Sequence, residues 1–150
     1  MMKRILGAIA FATGVAYYTP LAIPPDIPPT PADDVCMAWV VHDEARGESV
    51  AGQRAIIDIV LKRMEKRHLT ACEVVKEKFQ FSGYKRGMEI KLHENVSEKE
   101  LAILYELYKM PPVVKSSEYF HAQYVKPTWR SKFERIKQIG KHIFYKEKEK

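Results

Sequence analysis

Apolar residues return at helical spacing from about residue 33 onward. Val35, Trp39 and Val41 to His42 mark a first helix, capped by Asp33 or Asp34. It should end at Arg46-Gly47, because glycine suits the position just past a helix C-terminus. A second helix is predicted from a Ser49 cap to about Lys66. Its Ala55, Ile56, Ile57, Ile59, Val60, Leu61 and Met64 are apolar on nearly every face, which places it in the middle of the domain. Thr70-Ala71-Cys72-Glu73 and Ser97-Glu98-Lys99-Glu100 both have the capping-box pattern, a hydroxyl answered by a glutamate one turn later. They start helices to about Lys78 and Lys109. Between them "FQFSGYKRGMEIKLHENV" has glycines and aromatics but no helical period, and reads as a loop with a small hairpin. "SSEYFHAQYVKPTW" alternates enough for a strand or extended loop. The closing "RSKFERIKQIGKHIFYKEKEK" predicts a basic helix stopped at Gly140, a short apolar strand and a charged tail, with Ile139, Ile143 and Phe144 inward. The class is mainly α (α+β), without internal repeats.

The N-terminus follows another pattern. Lys3 and Arg4 precede an apolar run from Ile5 to Ile23, which reads as an export signal, either cleaved near Gly14-Val15-Ala16 or kept as an anchor. "PLAIPPDIPPTPADD" holds most of the nine prolines and makes an extended, semi-rigid tether. The expected division is signal peptide or signal anchor 1–23, proline-rich linker 24–33, folded domain 34–146 and charged tail 147–150. With 150 residues and 46% hydrophobic content, this leaves one compact domain.

A formal charge of +6 favours an anionic partner: nucleic acid, anionic lipid or an acidic wall polymer. Cys36 and Cys72 both follow the export signal, so they form either one disulfide or two buried thiols. No Cys/His spacing suggests zinc, and His42, His68, His93 and His142 have no ligand spacing to one another. No metal and no cofactor are expected.

The stretch "VVHDEARGESVAGQRAIIDIV" sets Asp43, Glu44, Arg46 and Glu48 between two apolar helical runs. A carboxyl facing a buried helix is desolvated, which raises its pKa and makes it a usable general acid near neutrality. A glutamate raised in this way is the handling of hen-type lysozyme. Glu44 is the acid placed to lean inward. Asp43 points about 100° away around the helix and is expected to stay out of the site. Spacing alone leaves the other reading open, a solvated helix end with Arg46 paired to Glu48.

Four segments, "EARGESVAGQRAIIDIVLKRM", "CEVVKEKFQFS", "YFHAQYVKPTW" and "IGKHIFY", occur in an order and at separations that resemble the cell-wall hydrolase family typified by spore cortex-lytic enzymes. The resemblance runs from Cys36 to Tyr145. It implies a lysozyme-like domain that cuts peptidoglycan glycan strands as a lytic transglycosylase. The first glutamate of the family's E-A-R-G-E motif is the catalytic acid, here Glu44. It would protonate the oxygen between N-acetylmuramic acid and N-acetylglucosamine, then take the proton of the sugar's own 6-hydroxyl as an anhydro ring closes. Gln80, Phe81 and Ser82 match the family's Q-F-S, suited to a sugar subsite. Tyr119 and His121 match its aromatic-His-Ala segment, and Trp129 its P-x-W. His121 and Trp129 are expected either to contact the glycan or to serve as structural residues. Arg46 and Glu48 are expected to support Glu44 through an ion pair and turn, with Gln53 hydrogen-bonded nearby.

The chain departs from the family in three places. His42-Asp43 precede Glu44, and the extra acid is expected to lower or broaden the activity profile. Lys62 replaces a usual asparagine, and "SGYKRGMEIKLHENV" is shorter and more basic than many relatives' loops. The implied partner is peptidoglycan, approached by an exported monomer tethered or released at the envelope, with Lys126, Arg130, Lys132, Arg135 and Lys137 gripping the anionic wall. The rivals are a hydrolytic muramidase on the same bond, a metal-dependent amidase, and a noncatalytic wall-binding or nucleic-acid-binding module. Export argues against nucleic acid.

Overall fold

The computed structural model describes residues 31–77 and 80–149. The predicted export segment 1–23, linker residues 24–30 and Phe79 lie outside the described residues. Helix α1 spans Pro31–Ala45, so it starts inside the expected linker. Proline is well suited to a first helical position, where its missing N–H would have had no partner. Asp33 and Asp34 therefore sit in the first turn rather than at the cap, where their charge favours the helix dipole. Asp34 accepts hydrogen bonds from the Tyr105 and Tyr108 hydroxyls. Asp33 accepts the Cys72 N–H at 3.2 Å.

Helix α2 (Val50–Arg67) begins at the predicted Ser49 cap, whose side chain accepts the Gly52 N–H. Ile56, Ile57, Ile59 and Val60 are fully buried; burying each such side chain is worth about 1.5–3 kcal/mol. Arg54 and Asp58 are buried on the same helix as an ion pair at 2.9 Å. Asp58 also accepts the N–H groups of Val113 and Val114. The pair thereby pins the chain after α4 to the central helix. Helices α3 (Ala71–Lys76) and α4 (Glu98–Tyr108) start at the two predicted capping boxes, both formed. A Cys36–Cys72 disulfide joins α1 to α3. The loop between α3 and α4 contains an isolated Leu92–Val96 bridge rather than the predicted hairpin.

Three antiparallel strands, β1 (Tyr119–Ala122), β2 (Glu134–Ile139) and β3 (His142–Lys146), form a sheet in the order β1-β3-β2. The predicted basic helix is thus mostly strand β2, after a short 3-10 helix at Thr128–Lys132. Phe133, Ile136 and Ile139 recur every third residue, which imitates a helical face. A bulge between Arg135 and Lys137 creates that spacing by inserting Ile136 into an otherwise alternating strand. Gly140 takes φ 53° in the tight β2–β3 turn and ends a strand rather than a helix. Phe144 is fully buried in the core and Ile139 packs against it. Ile143 lies half-buried on the opposite face, as alternation requires. The fold is mostly helical with a small three-stranded antiparallel sheet, and no described helix is long and apolar enough to cross a membrane.

Candidate active site

A groove of about 1000 Å³ runs between the C-terminal end of α1, the loop at 80–84 and the sheet. That volume accommodates several sugar rings. Glu44 is half-buried at its wall, on the last turn of α1. One carboxylate oxygen, Oε1, accepts both the backbone N–H of Ser82 at 3.1 Å and its hydroxyl at 3.4 Å. Burial pushes the Glu44 pKa above its ordinary value; the Ser82 N–H opposes this, and the charge of Asp43 adds to it. The group therefore holds its proton to higher pH than a solvated glutamate, as a general acid requires.

Asp43 corrects the expectation drawn from helical geometry. Its side chain lines the same groove, and its charge raises the Glu44 pKa. The 100° step separates the two Cα–Cβ directions, but the loop at 82–83 crosses the helix end beside both side chains, Glu44 half-buried and Asp43 exposed. Ser82 meets Glu44 while Gly83 lies directly over the Asp43 carboxylate.

The structure distributes the other predicted residues among three places. Gln80, Phe81, Ser82, Tyr119, His121 and Trp129 all line the groove with Glu44. Phe81 is buried, its ring 5.3 Å from the Arg63 guanidinium and 6.4 Å from Phe120. Tyr119, His121 and Trp129 form an aromatic wall, with Trp129 6.0 Å from Tyr119 and 5.7 Å from His121. His121 is held on both nitrogens: Nδ1 pairs with the Ala122 carbonyl at 2.8 Å and Nε2 with the Tyr145 hydroxyl at 3.0 Å. A carbonyl only accepts, so Nδ1–H donates to Ala122, and the two contacts hold the ring in place in the wall.

Arg46 and Glu48 lie outside the groove. The predicted ion pair between them is not formed among the described residues. The chain reverses at Gly47 (φ 86°), leaving Arg46 exposed beside a small pocket with His42, Gln53 and Glu100. Glu48 turns the other way and accepts the Lys141 N–H at 3.3 Å, tying the α1–α2 corner to the β2–β3 turn. A Cβ at Gly140 would overlap its carboxylate. Gln53 reaches the same corner, donating to the Glu48 carbonyl at 3.4 Å.

Sequence reasoning missed Asp43, Arg63 and Tyr124 as groove residues. Arg63 is buried and donates to the Glu118 carbonyl at 2.9 Å, with its pKa lowered to about 10 by burial. Arg63 follows Lys62 among several basic residues of α2, so the sequence carried no signal that set it apart. Tyr124 stands 81% exposed at the rim, on the turn that follows β1. Lys126, Arg130, Lys132, Arg135 and Lys137 are all exposed along the same segment. Among the described residues, no group of three or more His, Cys, Asp or Glu is placed to hold a metal ion.

A family profile described as Cell Wall Hydrolase matches residues 47–145. Two solved structures are similar over most of the chain. The catalytic domain of the Bacillus cereus SleB protein is 25% identical, with a TM-score of 0.66 over 79% of this chain and 93% of that one. The catalytic domain of the germination-specific lytic transglycosylase SleB from Bacillus anthracis is 26% identical, with a TM-score of 0.66 over 80% of this chain and 100% of that one. No curated protein matches.

Proposed function

The chain belongs to the cell wall hydrolase family, and from that premise we propose that it cleaves peptidoglycan glycan strands by lytic transglycosylation, with Glu44 as the one acid–base group. The bond cut is that between N-acetylmuramic acid and N-acetylglucosamine. Glu44 gives its proton to the glycosidic oxygen as the bond to the muramic C1 breaks. The carboxylate left behind, supported by the two Ser82 contacts on Oε1, takes the proton of the 6-hydroxyl as that oxygen closes on C1. The products are a free N-acetylglucosamine hydroxyl and an anhydro-muramic end, with no water consumed.

The observation that carries this reading is the half-buried Glu44 carboxyl, its pKa raised by burial, bound to Ser82 at the groove wall. The family match starts at residue 47, after Glu44, so the assignment rests on this geometry. Asp43 and Glu44 are the only carboxylates lining the groove among the described residues. They are consecutive on α1 and line the groove from the same helix end. Two-carboxylate hydrolysis instead needs its acids about 5–9.5 Å apart across the bond. This favours an internal nucleophile over a water activated by a second acid. Tyr119 and Trp129 offer rings to pyranose faces, the buried Phe81 ring packs beneath them as support, and Gln80 offers an amide to sugar hydroxyls.

A cell wall hydrolase acts outside the cytoplasm, and residues 1–23 would deliver it there as a cleaved signal or an anchor. The exposed basic residues at 126–137 would hold it to an anionic wall as a monomer. Glu44→Gln tests the catalytic assignment. The variant should fold and sediment with purified peptidoglycan yet release no soluble fragments; wild-type release rates would contradict the reading.

A further inference from the structure

The acid beside Glu44 has no role in the reaction as written above, and the fold nevertheless gives it a fitted place. Asp43 and Glu44 are consecutive on α1, and Ser82 and Gly83 are consecutive on the loop that crosses the helix end. Glu44 is matched to Ser82 by two hydrogen bonds. Asp43 is matched to Gly83 by shape, because a Cβ at position 83 would overlap its carboxylate. Gly83 has no positive φ, so its backbone does not demand glycine; a side chain there would instead meet the Asp43 carboxylate. Both side chains line the groove, and the Asp43 charge acts on the Glu44 carboxyl.

We propose that Asp43 is a positioning residue for Glu44: seated under Gly83, its carboxylate accepts the Glu44 proton as a hydrogen bond and holds it on the groove side until substrate arrives. Both Ser82 contacts fall on Oε1, which leaves Oε2 to carry the proton toward Asp43. A glycosidic oxygen entering the groove then replaces Asp43 as the acceptor. The inference rests on the reading of Glu44 as the acid. It also turns the expected effect of the extra acid into a definite sign, since a neighbouring negative charge extends the protonated range of Glu44 upward.

The other titratable groups facing the groove are Arg63 from α2, Tyr84 and Tyr124 from the loops, and Tyr119, His121 and His142 from the sheet. Arg63 is tied to the Glu118 carbonyl, His121 to Ala122 and Tyr145, and burial lowers the His142 pKa, favouring its neutral form. Only Ser82 and Asp43 act appreciably on the Glu44 carboxyl besides burial.

The test is the pH profile of peptidoglycan solubilisation by the full chain, wild type against Asp43→Ala, Asp43→Asn and Gly83→Ala, with Glu44→Gln as the control. Removing the charge in Asp43→Ala should move the alkaline limb down by about one pH unit. Asp43→Asn should move it at least as far, since an amide N–H donates to the Glu44 carboxylate. Gly83→Ala should displace Asp43 and move the limb the same way, and should add nothing on the Asp43→Ala background. Activity well below the limb should survive in all three. An unmoved or raised limb in folded Asp43 variants, with Glu44→Gln inactive, overturns the role of Asp43 alone. If an Asp43 variant fails to fold, Gly83→Ala decides by the same limb. An active Glu44→Gln overturns both this role and the reading beneath it.

Discussion

Ser82 donates its backbone N–H and its hydroxyl to the same oxygen of Glu44, at 3.1 and 3.4 Å. A residue 38 positions away thereby fixes the orientation of the carboxyl that faces the groove. Both contacts favour the ionised form, against the burial that disfavours it. Ser82→Ala keeps the N–H and loses the longer contact. Its alkaline activity limb should shift slightly upward, the reverse of the Asp43 variants, with a few-fold change in rate near neutrality. A limb that stays fixed or moves down would mean that the hydroxyl does not act on Glu44.

The raised Glu44 pKa has a consequence for stability. A carboxyl whose pKa is higher folded than unfolded costs nothing below its unfolded pKa, where both states are protonated. It becomes destabilising as pH climbs through its folded pKa. Glu44→Gln should therefore unfold at the same or a higher temperature than wild type at pH 7, and the difference should vanish near pH 3. Thermal unfolding across that range checks the sign. A variant less stable at pH 7 would mean that Glu44 contributes native contacts outweighing its burial.

Three of the helix starts were legible because caps are local. Ser49, Thr70 and Ser97 each meet their partner within one turn of the same helix. Strand β2 was not, because the bulge at Ile136 wrote a three-residue spacing into an extended segment. The motif order pointed to Glu44 and Gln80-Phe81-Ser82 as parts of one groove, and the structure places them together there. The inward turn of Asp43 and the outward turn of Arg46 were illegible, since both depend on where distant chain crosses the end of α1. Nothing within the E-A-R-G-E stretch specifies that Glu48 will meet Lys141 instead of Arg46.

Asp58 carries more of the fold than its place in an apolar helix suggests. It neutralises Arg54 and accepts two backbone N–H groups from the chain after α4. Asp58→Ala leaves a buried guanidinium without its counter-charge. The expected loss is about 3–5 kcal/mol, a fall in Tm of roughly 10 °C or more for a domain of this size. Chemical denaturation would measure it directly. A loss below about 1 kcal/mol would mean that Arg54 finds another partner.

The Cys36–Cys72 disulfide closes a 36-residue separation and joins α1 to the helix leading into the Gln80–Ser82 segment. The double variant Cys36→Ser, Cys72→Ser should lose about 2–4 kcal/mol by restoring freedom to the unfolded chain. Activity at a temperature where the variant remains folded should fall less than stability does. An unfolding midpoint equal to that of the unreduced wild type would contradict the bridge.

The most direct measurement of the central claim is mass spectrometry of fragments released from purified peptidoglycan by the full chain, beside Glu44→Gln. Lytic transglycosylation predicts anhydro-muramic ends, one water lighter than reducing ends, and none from the variant. Reducing muramic ends made by the wild type would contradict the account, because water rather than the 6-hydroxyl would then be the nucleophile.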